Sequence, residues 1–211
     1  MSIKVGIIDY GSGNFSSVWN AVQKLDCPMV HVQKFKQTTD CTHLILPGVG
    51  AFSSAIKRLQ ELELFHPIKE SIDEAKKPFL GICVGMQTLA EEGSEFTPTR
   101  GFGKVKGRVD HFLSVEPKLN LRLPHIGWND VLFEKNSTLF QGIDPEESNF
   151  YFDHSYQFIS EDKDAFFSHC EYGRKFIAAF EKENTFGVQF HPEKSQHAGL
   201  RMIANFLSWR P

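Results

Sequence analysis

Cysteine is scarce in this chain, and its four positions, Cys27, Cys41, Cys83 and Cys170, keep no metal-ligand spacing. That excludes a zinc ribbon and a small disulfide scaffold, and it leaves Cys27, Cys41 and Cys170 as ordinary small hydrophobes or surface thiols. The nine histidines form no helical H-x-x-x-H pair, and His125, His154 and His191 lie in separate stretches, so no metal is expected. Charge of one sign is also lacking. A net charge of -3 over 211 residues, with no long block of like charge, offers no footprint for nucleic acid or an anionic membrane. No apolar run approaches the roughly 20 residues that span a bilayer, and Met1-Ser2-Ile3-Lys4-Val5 lacks the regions of a signal peptide. A cytoplasmic protein is expected. Gly11-Ser12-Gly13 lacks the third glycine of a dinucleotide loop, Ser16 standing in its place, so no nucleotide cofactor is expected.

What the chain does have is core material. With 41% hydrophobic and 13% aromatic residues it can bury about 70% of its unfolded surface, as one domain over 1–211. In the first half, apolar strand patterns at 3–8, 29–32, 43–46 and 79–82 alternate with helical ones. The helical stripes are Val18, Val22 and Leu25, then Ile56, Leu59 and Leu62, then a segment near 67–76. Near-continuous apolar strands separated by helices argue for an open, mainly parallel sheet with helices on both faces. From Phe102 onward the pattern turns strand-rich, with segments at 105–109, 131–134, 150–158, 165–170, 176–181 and 186–190. An antiparallel extension is the simplest reading. A helix from about His197 closes the chain, with Leu200, Ile203, Ala204 and Leu207 on one face. The expected fold class is therefore α/β, an open mixed sheet with antiparallel β added.

The segment Gly81-Ile82-Cys83-Val84-Gly85-Met86-Gln87 sets one cysteine between two glycines, after an apolar run and before a helical pattern bearing Met86, Leu89 and Ala90. This is the form of a nucleophile elbow: the glycines admit a sharp strand-to-helix turn, and the helix N-terminus favours a thiolate. A cysteine nucleophile needs a base. His191 follows the strand 186–190 at the carboxyl end of the sheet, where open α/β folds bind ligands, and Glu193 stands two residues on to orient its ring. Val84 N–H can face an oxyanion, and Pro47-Gly48-Val49-Gly50 is a loop whose backbone can supply a second donor.

The segments LPGVGAF (46–52), GICVGMQ (81–87) and FGVQFHPEKS (186–195) resemble those of the class I, triad-type glutamine amidotransferases, whose fold is flavodoxin-like. IDYGSGN (8–14), PHIGWN (124–129) and YFDHSY (151–156) are similar to one branch, the glutaminase subunits of imidazole glycerol phosphate synthases. The resemblance implies that Cys83, His191 and Glu193 hydrolyse L-glutamine through a thioester, that Val49 and Val84 face the oxyanion, and that Gly50 and Gln87 hold the substrate. It implies no cofactor. It also implies a heterodimer with a (β/α)8-barrel cyclase that consumes the ammonia in histidine biosynthesis, met by Asn14, Trp128, Asn129, Tyr151 and Lys194. Two positions depart from the pattern: Val84 replaces a leucine and Asp153 an apolar residue. A paralogous branch feeding amino-sugar synthesis for surface polysaccharide stays open as an alternative. So do a DJ-1-like cysteine hydrolase, which would carry histidine where Val84 stands, and an interaction subunit without catalysis.

Overall fold

The computed structural model describes residues 3–115, 121–134 and 137–211. Its first half runs β1 (Val5–Ile8), α1 (Phe15–Gln23), β2 (Met29–Val32), α2 (Phe35–Thr39), β3 (His43–Gly48), α3 (Phe52–Glu61), α4 (Phe65–Asp73) and β4 (Phe79–Cys83). Every residue of β1, β3 and β4 is buried, which is why these strands read as unbroken apolar runs. Short α2 has no apolar stripe to announce it. The Gln37 side chain closes it by accepting from the N–H groups of Gln33 and Lys34, both at 2.8 Å.

The elbow leads into a single helical turn, α5 (Val84–Gln87), shorter than the helix expected through Leu89 and Ala90. Those two are buried, but their carbonyls are captured by Gly103, Lys104 and Val105 N–H from a returning segment, which ends the helix. Then follow β5 (Glu92–Gly93), β6 (Thr99–Arg100), β7 (Arg108–His111), α6 (Phe112–Val115), β8 (His125–Leu132), β9 (Asn149–His154), β10 (Tyr156–Ile159), β11 (Phe166–Glu171), β12 (Lys175–Lys182), β13 (Thr185–Val188) and α7 (Gln196–Ser208).

Three segments depart from the pattern expected of the sequence. The strand placed at 105–109 is β7, three residues later, because buried Val105 bonds to the segment after the elbow. The strand placed at 131–134 is only the tail of eight-residue β8, whose Gly127 and Asn129 break the apolar alternation. The segment 150–158 is two strands split at Ser155, where the chain leaves its partner β8 and crosses to β7 and β12.

Strand order is β2-β1-β3-β4-β13, all parallel, continuing through antiparallel β12, β10 and β7 to β5 and β6. A ribbon of β11, β8 and β9 branches from β12. The parallel part carries α1 and α7 on one face, and α2, α3 and α4 on the other, as right-handed crossovers require. Consequently the carboxyl ends of β1, β3, β4 and β13 gather four connecting segments at one edge: 9–14, 49–51, the elbow and 189–195.

Candidate active site

β4 ends on Cys83 with φ +53° and ψ -110°, a backbone state that costs a non-glycine residue about 1–3 kcal/mol. Its neighbours leave no alternative. A Cβ at Gly81 would stand 2.5 Å from the Gly85 carbonyl oxygen, and one at Gly85 would overlap the Leu46 carbonyl. Both glycines are thus required by close backbone approach, which lets α5 ride directly on β3. The Cys83 residue is only 3% exposed, on the floor of a cleft of about 420 Å³.

β13 lies beside β4 in parallel register, Val188 opposite Ile82, so the chain leaving β13 passes the elbow. His191 is pinned there from both sides. Its backbone N–H donates to the Tyr151 carbonyl at 2.8 Å, and its own carbonyl accepts from Ser195 Oγ at 2.6 Å, while Ser195 Oγ accepts from Tyr151 N–H at 3.0 Å. Nδ1 bonds Glu193 Oε1 at 2.8 Å, and the two side chains are 1% and 0% exposed. Glu193 Oε1 also accepts from Asn14 Nδ2 at 3.3 Å, and Asn14 Oδ1 accepts from Ser12 Oγ at 2.9 Å. The other ring nitrogen, Nε2, has no hydrogen-bond partner among the described residues and lies within interaction range of the Cys83 sulfur. Burial alone would hold the imidazole down. The charge and hydrogen-bonding capacity of Cys83, together with Glu193, outweigh it and push His191 up to about 10.

The register Gly48 opposite Cys83 brings Val49 and Gly50 alongside Val84, at the rim of the same cleft. Gly50 has φ +92°, the left-handed region in which a side chain is strained. Val84 begins α5, so its N–H is one of the four that a helix start leaves without an internal partner. Gln87 is buried in the wall, with Nε2 donating to Gln189 Oε1 at 3.0 Å and to the Tyr156 carbonyl at 3.4 Å. The remaining lining comes from Ala51, Glu95, Phe96, Pro124 and the segment 153–156.

A thiol on a strained elbow, a buried histidine held by a carboxylate, and a backbone rim are the parts of an acyl-transfer site. The family model described as "Glutamine amidotransferase class-I" matches residues 6–209, around the whole of this arrangement. The chain belongs to the class I glutamine amidotransferases.

This amidotransferase is 43% identical over 204 residues to "Imidazole glycerol phosphate synthase subunit HisH 1" of Campylobacter jejuni, covering 96% of this chain and 98% of that one. It is also 43% identical to "Imidazole glycerol phosphate synthase subunit HisH" of Methanocaldococcus jannaschii, over 96% of this chain and 98% of the relative. For the subunit of the same name in Aquifex aeolicus the values are 41%, 95% and 94%. Among solved structures, a glutamine amidotransferase superposes with a TM-score of 0.72 at 17% identity, covering 96% of this chain and 98% of the other. "PurLQS from Thermotoga maritima" does so at 0.69 and 19%, covering 98% of each chain. These two attest the fold.

Of the residues expected to meet a partner, three of the amidotransferase form one outer cluster. Trp128 stands opposite Tyr151 across β8 and β9 with ring centroids 6.1 Å apart, and Lys194 Nζ sits 5.2 Å from the Tyr151 ring centre. The other two are placed elsewhere. Asn14 is buried against Glu193, and Asn129 faces inward, donating to the Glu171 carbonyl at 2.9 Å. Sequence reasoning passed over Glu95 and Gln189. Glu95 sits in a loop without pattern; its Oε2 accepts from Phe52 N–H at 2.9 Å, capping α3, and burial pushes its carboxyl up against that bond. Gln189 had one signal, a polar residue inside an apolar run, and it is fully buried beside the Cys83 sulfur.

Proposed function

We propose that this amidotransferase is the glutaminase subunit of an imidazole glycerol phosphate synthase, working over its whole length as one domain. The observation that carries the chemistry is the buried 2.8 Å pair of His191 Nδ1 and Glu193 Oε1, with Nε2 left free beside Cys83. Cys83 thiolate attacks the carboxamide carbon of L-glutamine, and the oxygen that becomes negative is met by Val49 and Val84 N–H. Protonated His191 passes its Nε2 proton to the departing nitrogen, the C–N bond breaks, and ammonia leaves a γ-glutamyl thioester. The now neutral imidazole takes a proton from water, the hydroxyl adds to the thioester, and the C–S bond breaks to give glutamate and thiolate. Gly50 and Gln87 hold the substrate chain, and Glu95, the cleft-lining carboxylate held by Phe52 N–H, faces its ammonium group.

The synthase assignment is supported by relatives that carry its name at about the same length. The acceptor is a (β/α)8-barrel cyclase, docking on Trp128, Tyr151 and Lys194 beside the mouth of the cleft. Glutamate release from L-glutamine by the purified chain, with and without the cyclase and its ribotide substrate, tests both halves. Cys83→Ala reduces release by roughly 10³-fold or more, and undiminished turnover in that variant rejects the triad. Failure of the cyclase to bind or stimulate rejects the partner and moves the search to the amino-sugar acceptor.

A further inference from the structure

Behind Cys83 lies a buried hydrogen-bond chain whose Gln189 member the steps above do not use. Gln87 Nε2 donates to the Tyr156 carbonyl and to Gln189 Oε1, and Gln189 Nε2 lies 3.6 Å from Cys83 Sγ. The sulfur's further polar neighbours are the Asp153 carbonyl oxygen, which can accept from the thiol at 4.0 Å, the His191 ring and the Tyr10 hydroxyl. Both glutamines are sealed from solvent, at 2% and 0% exposure.

A carboxamide keeps its outline when turned end for end, so its sense must come from its partners. A main-chain carbonyl only accepts, which places the nitrogen of Gln87 on the Tyr156 side. That NH2 also meets Gln189, which must therefore present its oxygen to Gln87 and turn its own NH2 toward the sulfur. An amide NH2 donates and does not accept, so the contact favours a thiolate and offers nothing to an S–H hydrogen.

We propose that Gln189 is the hydrogen-bond donor that holds the Cys83 sulfur as an anion facing the cleft, with Gln87 fixing the sense of its amide. The proposal rests on reading Cys83 as the nucleophile. Gln189 then acts twice in the cycle. It stabilises the resting thiolate, and it donates to the sulfur again as the electron pair of the breaking thioester C–S bond returns there.

The test is alkylation of the full chain by iodoacetamide, followed at Cys83 by peptide mass spectrometry across a range of pH. Gln189→Met keeps length and volume but loses the donor. Its Cys83 alkylates about tenfold more slowly near neutral pH, the worth of one hydrogen bond to a charged group, and recovers toward the wild-type rate as pH rises. Gln189→Glu, with a carboxylate in place of the NH2, is slower still. Gln189→Asn, one methylene short, gives no rescue. If Gln189→Met does not fold, Gln87→Leu removes the lock and shows the same pH pattern at smaller amplitude. A folded variant alkylating within twofold of wild type near neutral pH, or slowed equally at every pH, overturns the proposal. Alkylation needs no glutamine turnover, so loss of the triad reading through Cys83→Ala is a separate result.

Discussion

At the scale of single residues, the site is governed by what surrounds His191. Its ordinary value near 6.5 is raised to about 10 in the folded chain, burial being overcome by Cys83 first and Glu193 after it. The protonated ring therefore adds stability that is fully present below about 6.5 and is lost as pH rises through about 10. The same shift keeps the proton donor loaded through neutrality, so the alkaline limb of the glutaminase rate lies well above 6.5 in a pH profile of kcat/KM. Cys83→Ala removes the largest contribution favouring the charged ring. Imidazole NMR of that variant shows the His191 titration moving down; an unmoved midpoint would mean that sulfur and ring do not interact. Gly85→Ala tests the elbow. The added methyl overlaps the Leu46 carbonyl, so thermal unfolding shows a loss of roughly 2–4 kcal/mol, with glutaminase activity lost as well.

At the scale of elements, β8 and β9 are joined by more than their ladder. The Tyr156 carbonyl accepts from His154 Nδ1 at 2.7 Å, so His154 Nε2 is the acceptor for His125 Nδ1–H at 3.1 Å. Both rings are thereby neutral, and burial holds them at about 3 for His154 and about 4 for His125. The unfolded chain binds protons on both below about 6.5 while the folded chain does not, so stability falls as pH drops from there toward 4. Melting temperatures between pH 7 and pH 4.5 decline as a result. A His125→Phe variant, which removes one of the titrating rings, declines less steeply.

This pairing also marks where reading from sequence stops. The parallel strands were legible because burial on both faces writes unbroken apolar runs, and the elbow and its histidine were legible because their parts lie within a few residues of one another. β8 was not legible, since Gly127 holds a φ of +137° and the Asn129 side chain serves the Glu171 carbonyl, 42 residues downstream. Asn14 looked like a surface residue for the same reason: the carboxylate it serves, Glu193, is 179 positions away. Glu95 enters the cleft through a loop that has no period at all. Local chemistry is written locally, whereas the assignment of a polar residue to wall or surface depends on partners only the fold supplies.

At the scale of the whole molecule, the cleft and the outer cluster share one face. Asp153 lines the cleft and pairs across the ladder with exposed Ile126, one pleat from Trp128 and Tyr151. A partner seated on Trp128 would therefore roof the opening. If the proposed cyclase docks on this cluster, Trp128→Ala weakens their association about tenfold or more, read by calorimetry, because a half-exposed aromatic at such a centre is the usual anchor. The variant's own melting curve stays near wild type, since the ring is 45% exposed in the free chain. Asp153→Val removes the charge opposite exposed Ile126 and would strengthen the same association; no change in affinity would place Asp153 outside the contact.

A roofed opening has a consequence that can be followed with isotopes. Nitrogen released over Cys83 leaves through the mouth that Asp153 lines, and beneath a docked partner its first surroundings would be that partner, not the medium. Amide-labelled ¹⁵N-glutamine supplied in a solution rich in ¹⁴N-ammonium would pass its label to the product almost undiluted. Prising the two chains apart at Trp128 would let the pools mix, and the label in the product would fall toward the ratio of the surrounding solution.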